Sequence, residues 1–224
     1  IVGNETNKVS VLVKNCVNKG NISVLSAIGT CRIAGIYGSR NNATSVVTID
    51  GCTNLGAVKI TSNNTANSNA YAVGGVLGYA AAGQTTIKNC TNGSATDDTK
   101  GEVTFAKAEA GIGIAGIAGL SNLPIQITGC KNYGHVAITG DGGHKDGKKS
   151  VGISGVLGYN LVAGITVTNC DNYGLVEFGT GKGNYRMNVA GVVGLTTAGT
   201  EAAPNIITSC KNYGTIKYSA ASGS

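Results

Sequence analysis

Cys130-Lys131-Asn132-Tyr133-Gly134-His135-Val136 is one copy of a pattern, Cys-x-Asn-x-Gly-x-(Val/Ile), around which the chain is built. The pattern returns at Cys170, Asn172, Gly174 and Val176, and again at Cys210, Asn212, Gly214 and Ile216. Earlier copies stand at Cys16, Asn18, Gly20, Ile22 and at Cys52, Asn54, Gly56, Val58. A sixth begins at Cys90 and Asn92 but reaches Gly101 and Val103 only after an insertion, Gly93 to Lys100. All but one of the 7 cysteines therefore mark one position of a repeat. Its period of about 40 residues lies in the range of solenoids and propellers.

Each unit carries three apolar runs. The first leads into the cysteine, as in Val11 to Cys16, Val47 to Cys52, Thr86 to Cys90, Ile125 to Cys130, Ile165 to Cys170 and Ile206 to Cys210. Ile125 and Ile127 alternate with polar residues, the period of a half-buried strand. The cysteine follows three positions later instead of two, and this change of parity predicts a corner or bulge just before it. In the second run Cys130, Asn132, Gly134, Val136 and Ile138 share one parity, which predicts an inward column with Asn at a bend. The third run is Gly-(Ile/Val)-x-Gly, at Gly35 to Gly38, Gly75 to Gly78, Gly116 to Gly119, Gly155 to Gly158 and Gly191 to Gly194. Both of its parities are apolar or small, as in strands buried on both sides. That sheet is expected to be covered by its own loops, a neighbouring domain or another copy of the chain. A glycine every three residues excludes helix there.

The expected fold is all-β: a parallel β-helix with three strands per turn, about six turns (five full and one partial) and a right-handed coil. Residues 1–224 then form one elongated domain. Only 2 prolines occur, as suits continuous strand ladders. No helix for capping either end is expected, which leaves strand edges for flanking domains or self-association. The chain reads as a piece of a longer surface protein, already processed or cut at Ile1.

Charge and composition narrow the partners. A net charge of +6 is spread thinly without a Lys/Arg block, so nucleic acid is not an expected partner. No apolar window reaches 18 residues, so no direct membrane span is expected. The Asn, Thr, Gly and Ser richness points to an extracellular or cell-surface location.

The paired motifs Gly-(Ile/Val)-x-Gly and Cys-x-Asn-x-Gly-x-Val resemble the GLUG-type repeats of bacterial surface proteins. These include adhesin-like proteins of gut Bacteroidetes and the non-catalytic regions of some immunoglobulin A peptidases. The similarity covers nearly the whole chain. It implies an extracellular β-helix that serves as an attachment module or a spacer, and the regular cysteine is a departure from that family.

Candidate sites each have a structural reading beside them. The ladder set is Cys16, Cys52, Cys90, Cys130, Cys170 and Cys210 with Asn18, Asn54, Asn92, Asn132, Asn172 and Asn212. The cysteines lack metal-site spacing, and in-register parallel strands disfavour bridges between stacked neighbours. Reduced, buried thiols are expected. Cys31 lies off the pattern, as a lone thiol or a partner for Cys16 or Cys52. Tyr133, Tyr173 and Tyr213 point outward on consecutive turns, either as a platform for sugar rings and partner side chains or as a stiffening stack. Earlier turns carry Lys19, Leu55 and Gly93 there. Lys145, Lys148 and Lys149 (beside His144) with Lys182, Tyr185 and Arg186 form a basic cluster on adjacent turns. It is a site for an anionic glycan or acidic surface, or a solvated loop.

Catalytic motifs are missing: there is no His-Glu-x-x-His, no Gly-x-Ser-x-Gly and no phosphate loop. No cofactor, metal or enzymatic activity is expected. A carbohydrate-active β-helix enzyme is the alternative. A threonine rank for flat crystals is broken, since Thr166 and Thr168 align with Gln126 and Thr128, then Thr86 and Lys88.

Overall fold

The computed structural model describes residues 1–5, 10–25, 31–40, 45–61, 71–81, 83–106, 112–140, 150–181 and 186–220. They form a parallel β-solenoid with no helix among them. One winding shows the plan. A first face, Ile125–Thr128, turns into a short second face, Lys131–Asn132, and then a third, Val136–Ile138. A fourth face, Ser150–Ser154, and a fifth, Leu157–Asn160, close it. Equivalent strands of successive windings pair in parallel and in register, so that Ile87, Ile127, Val167 and Ile207 form a column. Cys90, Cys130 and Cys170 occupy neighbouring rungs, as the period requires.

Strand and turn counts differ from expectation. Each winding has five strands instead of three. The sheet of the fourth face holds 5 strands and the other four hold 6, so fewer than six windings close on every side. The reason lies in the two glycine motifs. Asn-x-Gly splits the second run into the second and third faces. The glycine that opens Gly-(Ile/Val)-x-Gly breaks the third run into the fourth and fifth. A Cβ on Gly116 would collide with Asn132 Oδ1 and the Gly155 carbonyl. Only a residue without a side chain permits the bend.

That bend also answers what covers the third run. The fourth and fifth faces fold back against each other, each covering the other. Ala72 meets Tyr79 and Leu120, with Ala81 and Tyr159 alongside. A Cβ on Gly119 would strike the Val73 backbone, and one on Gly158 the Ile114 backbone. Backbone approaches backbone where the side chains vanish. At the N-terminal side Arg32 lies over the Tyr79 ring at 4.1 Å.

The infolded pair divides the interior into two cores. One, between the first and fifth faces, packs Ile49, Ile87, Ile127 and Val167 with Ile36, Ile117 and the thiols of Cys52, Cys90, Cys130 and Cys170. The other, between the third and fourth, packs Val58, Phe105, Val136, Ile138 and Phe178 against Tyr71, Ile114 and Ile153. Each such side chain contributes roughly 1.5–3 kcal/mol by leaving water. Cys31 packs against the second core while Cys16 and Cys52 pack in the first, which removes them as its partners; all seven thiols are free.

The predicted corner before each cysteine is a single left-handed residue. Asn15, Gly51, Asn89, Gly129, Asn169 and Ser209 all have φ between 52° and 65°. Asn and Gly adopt that conformation most readily. The ladder asparagines, by contrast, lie in extended strands and leave the unusual dihedral to the residue three positions earlier.

Candidate functional site

Along the waist between the two cores the six ladder asparagines bond in series. Asn18 Nδ2 donates to Asn54 Oδ1, Asn54 to Asn92, Asn92 to Asn132, Asn132 to Asn172 and Asn172 to Asn212, at 2.7–2.8 Å. The second N–H of each amide reaches a glycine carbonyl on its own winding, as Asn132 does to Gly134 at 2.9 Å. Asn54, Asn92, Asn132 and Asn172 are fully buried, yet both their N–H groups are used. A buried polar column is tolerable only when satisfied in this way.

Asn92 shows how the insertion is accommodated. Its amide donates to Gly101 O at 2.7 Å instead of to the residue two positions on. The Gly93 N–H bonds Asn54 O and the Gly101 N–H bonds Leu55 O, fastening both ends to the preceding winding. The excursion between them is a closed turn. Asp97 Oδ1 accepts from the Thr99 amide at 3.0 Å and hydroxyl at 2.5 Å, while Lys100 Nζ sits 3.7 Å from Asp97 Oδ2. The Thr99 hydroxyl is the chief reason the Asp97 carboxyl lies below its ordinary range.

Next to the asparagines, on the outside, stand the tyrosines. Tyr133 and Tyr173 stack with centroids 4.8 Å apart and planes 12° apart; Tyr173 and Tyr213 repeat this at 4.8 Å and 11°. The stack has the axial repeat of the strands, so the rings lean over one another in the offset arrangement aromatic pairs prefer. Tyr173 is 38% exposed and donates to Asp171 Oδ2 at 3.4 Å. Its phenol is raised above the ordinary value, first by loss of water and then by the Asp171 charge. Ring faces inside the stack are taken by neighbouring rings. Beyond Tyr133 the next rung is the buried Gly93, which lies close to the Lys100 carbonyl, and no ring continues the stack.

There the insertion borders a groove of about 560 Å³, lined by Ser94, Ala95, Thr96, Asp97, Asp98, Tyr133 and Tyr173. The parity of the tyrosines made their stacking legible in the sequence. The groove was not, because it depends on how the inserted turn folds back. His135 Nε2 lies 3.2 Å from Glu177 of the next winding, a polar pair further along the same side.

Of the basic cluster, Lys145, Lys148, Lys149, Lys182 and Tyr185 lie outside the described residues. Arg186 pairs with Ser150 through the backbone, so the segments that flank the cluster sit on adjacent windings. Among the described residues no group of three His, Cys, Asp or Glu is placed to hold a metal, and no helix is long and apolar enough to cross a membrane. No family model, curated protein or solved structure matches the chain.

The thiol column is a packing device. Cys130 Sγ points to the carbonyls of Thr128 (3.5 Å) and Ile87 (3.9 Å), and the other buried thiols repeat the geometry. Cys130 is raised well above the usual thiol range, chiefly by its hydrogen-bonded neighbour Cys170, then Cys90 and burial. Burial pushes Cys52 up to about 11. Cys52 and Cys130 are thereby poor nucleophiles at neutral pH, whereas Cys90 and Cys170 are lowered, chiefly by their hydrogen bonds with Cys130.

Proposed function

We propose that the chain is an attachment or spacing module of a bacterial cell surface, related in kind to the GLUG-type repeats it resembles, and that it binds its target without transforming it. The coil is taken as right-handed, the sense that parallel crossover connections adopt. The observation that carries the reading is the exposed tyrosine stack with its groove, mounted on a continuous waist of bonded amides. A rigid scaffold that presents ring edges and hydroxyls to one side is suited to holding glycans or surface proteins.

The alternative is a carbohydrate-active enzyme, lyase or hydrolase-like, and the hydrolase form needs one carboxyl kept protonated beside another that is ionised. Asp97, at the groove, is tuned for the ionised role alone, since its hydroxyl and amide donors favour the charged form. A glycan and glycoprotein array combined with a reducing-end assay on the same sample tests the proposal. Retention without turnover is expected. New reducing or unsaturated ends would replace the attachment reading with the enzymatic one.

A further inference from the structure

We infer that copies of this chain stack head to tail, the last winding of one seated on the first winding of the next, to make a filament one chain wide. The edge strands match face for face. The first, second, third and fifth sheets finish on Ile206–Thr208, Lys211–Asn212, Ile216–Ala220 and Val193–Thr196. The same four sheets start on Val11–Lys14, Val17–Asn18, Ile22–Val24 and Val2–Glu5. Four parallel ladders therefore continue across the joint. The fourth face alone is one strand short there, between Arg186–Ala190 and the next copy's Cys31–Ala34. One step repeated along an axis does not close, so the product is open-ended. Such assembly needs no ligand and would hold for a binding module and an enzyme alike.

Ile207, Ile216 and Tyr218 are exposed, although Val167, Val176 and Phe178 in the same columns one winding earlier are buried. A seated copy covers them with its Val13, Ile22 and Val24, and burial of apolar surface drives the contact. Particular residues name a second copy as the occupant. The outward column of the first sheet is polar at its inner rungs, Thr48, Thr86, Gln126 and Thr166. It is apolar only at its two ends, Leu12 (65% exposed) and Ile206 (45%), which stacking sets side by side. Among the described residues no lysine at either end would face another: Lys14 meets Thr208, Lys19 meets Tyr213, Lys211 meets Val17 and Lys217 meets Ser23. Asn212 keeps one amide N–H beyond its bond to Gly214 O, and Asn18 Oδ1 is the acceptor that the joint brings to it. Glycine spacing agrees. A Cβ on Gly56, Gly174 or Gly214 would drive into the carbonyl of the glycine one winding earlier. Gly20 heads that column, and among the described residues a Cβ on it would touch only Asn18 Oδ1, at an ordinary 3.8 Å. Seated on a copy, the same Cβ would strike Gly214 O.

The test follows the full chain by sedimentation velocity and electron microscopy from micromolar to millimolar concentration. Rods one chain wide that lengthen with concentration are expected. Gly20→Ala, whose Cβ has room in the single chain, should match the wild type in circular dichroism and weaken assembly about tenfold. Leu12→Lys combined with Ile206→Lys changes two exposed side chains and should weaken it by a similar factor. Leu12→Glu combined with Ile206→Lys should restore it in a salt-sensitive form, because opposite charges then meet across the joint. Leu161→Ser removes an exposed apolar side chain on an inner winding and should alter assembly less than about twofold. Rods that survive Gly20→Ala, or that Leu161→Ser abolishes, would mean lateral association and overturn the joint. So would particles that stop at two copies. A chain that stays monomeric at millimolar concentration overturns it as well and leaves the end windings to an unlike partner.

Discussion

Asn132 and Tyr133 are chain neighbours, and each begins a column of like residues, but the two columns obey different rules. The inner one runs through six rungs without substitution and crosses even the insertion at Asn92. The outer one runs through three rungs and stops at Gly93. Inside, every amide is both partner and neighbour to the next, and a gap would strand polar groups away from water. Outside, a missing ring strands no polar group. The contrast separates what the architecture demands from what selection is free to change.

Mutations on one rung sharpen the contrast. Asn132→Asp leaves the oxygen that Asn92 needs but removes both N–H donors, so Gly134 O and Asn172 Oδ1 lose their partners beside a buried charge. A loss of about 3–5 kcal/mol in urea unfolding, or failure to fold, is expected. Retention of wild-type stability would show that the amide series is incidental. Next comes Gly116→Val, whose side chain would drive into Asn132 Oδ1. A cost of about 3 kcal/mol is expected, measured in the same way.

Alkaline titration probes the thiols that line the first core. Burial holds the Cys52 proton up to about 11 in the folded chain, whereas an unfolded thiol ionises near about 8.5. The folded-state value is the higher one, so this contribution is complete below about pH 8.5 and is lost as pH rises toward 11. Urea midpoints should fall across that window, and less steeply in Cys52→Ala. An equal slope in the variant would remove Cys52 as the cause. The smallest effect belongs to the outer column: Tyr173→Ala should cost about 1 kcal/mol, since the ring is more than a third exposed and loses its stacking and one long, exposed bond to Asp171. A cost matching that of Asn132→Asp would erase the distinction between the columns.

How much of this could be read beforehand follows from the same division. Parity along Cys130, Asn132, Val136 and Ile138 gave the inward column, because strand alternation is a strict geometric rule. The odd step before each cysteine gave the corner, and Gly101 and Val103 announced that the insertion leaves the register unbroken. The number of strands was misjudged because Ile114 to Leu120 is apolar on both sides of its bend. Nothing in hydrophobicity marks Gly116 as the point where a strand turns against itself; the mark is the missing side chain opposite an asparagine oxygen. The tyrosine stack was legible from spacing alone. The groove depended on side chain to backbone bonds within the turn at Asp97 and Thr99, which no periodicity records.

The amide series has one further consequence. Every Asn Nδ2 in it donates toward the later winding and every Oδ1 accepts from the earlier one. Side-chain dipoles therefore add head to tail, and the waist has an intrinsic sense, like a one-way wire of polarised amides. A winding grafted after Asn212 would have to offer it an oxygen, and one grafted before Asn18 a hydrogen. Modules spliced in the reverse sense would set like against like along the axis.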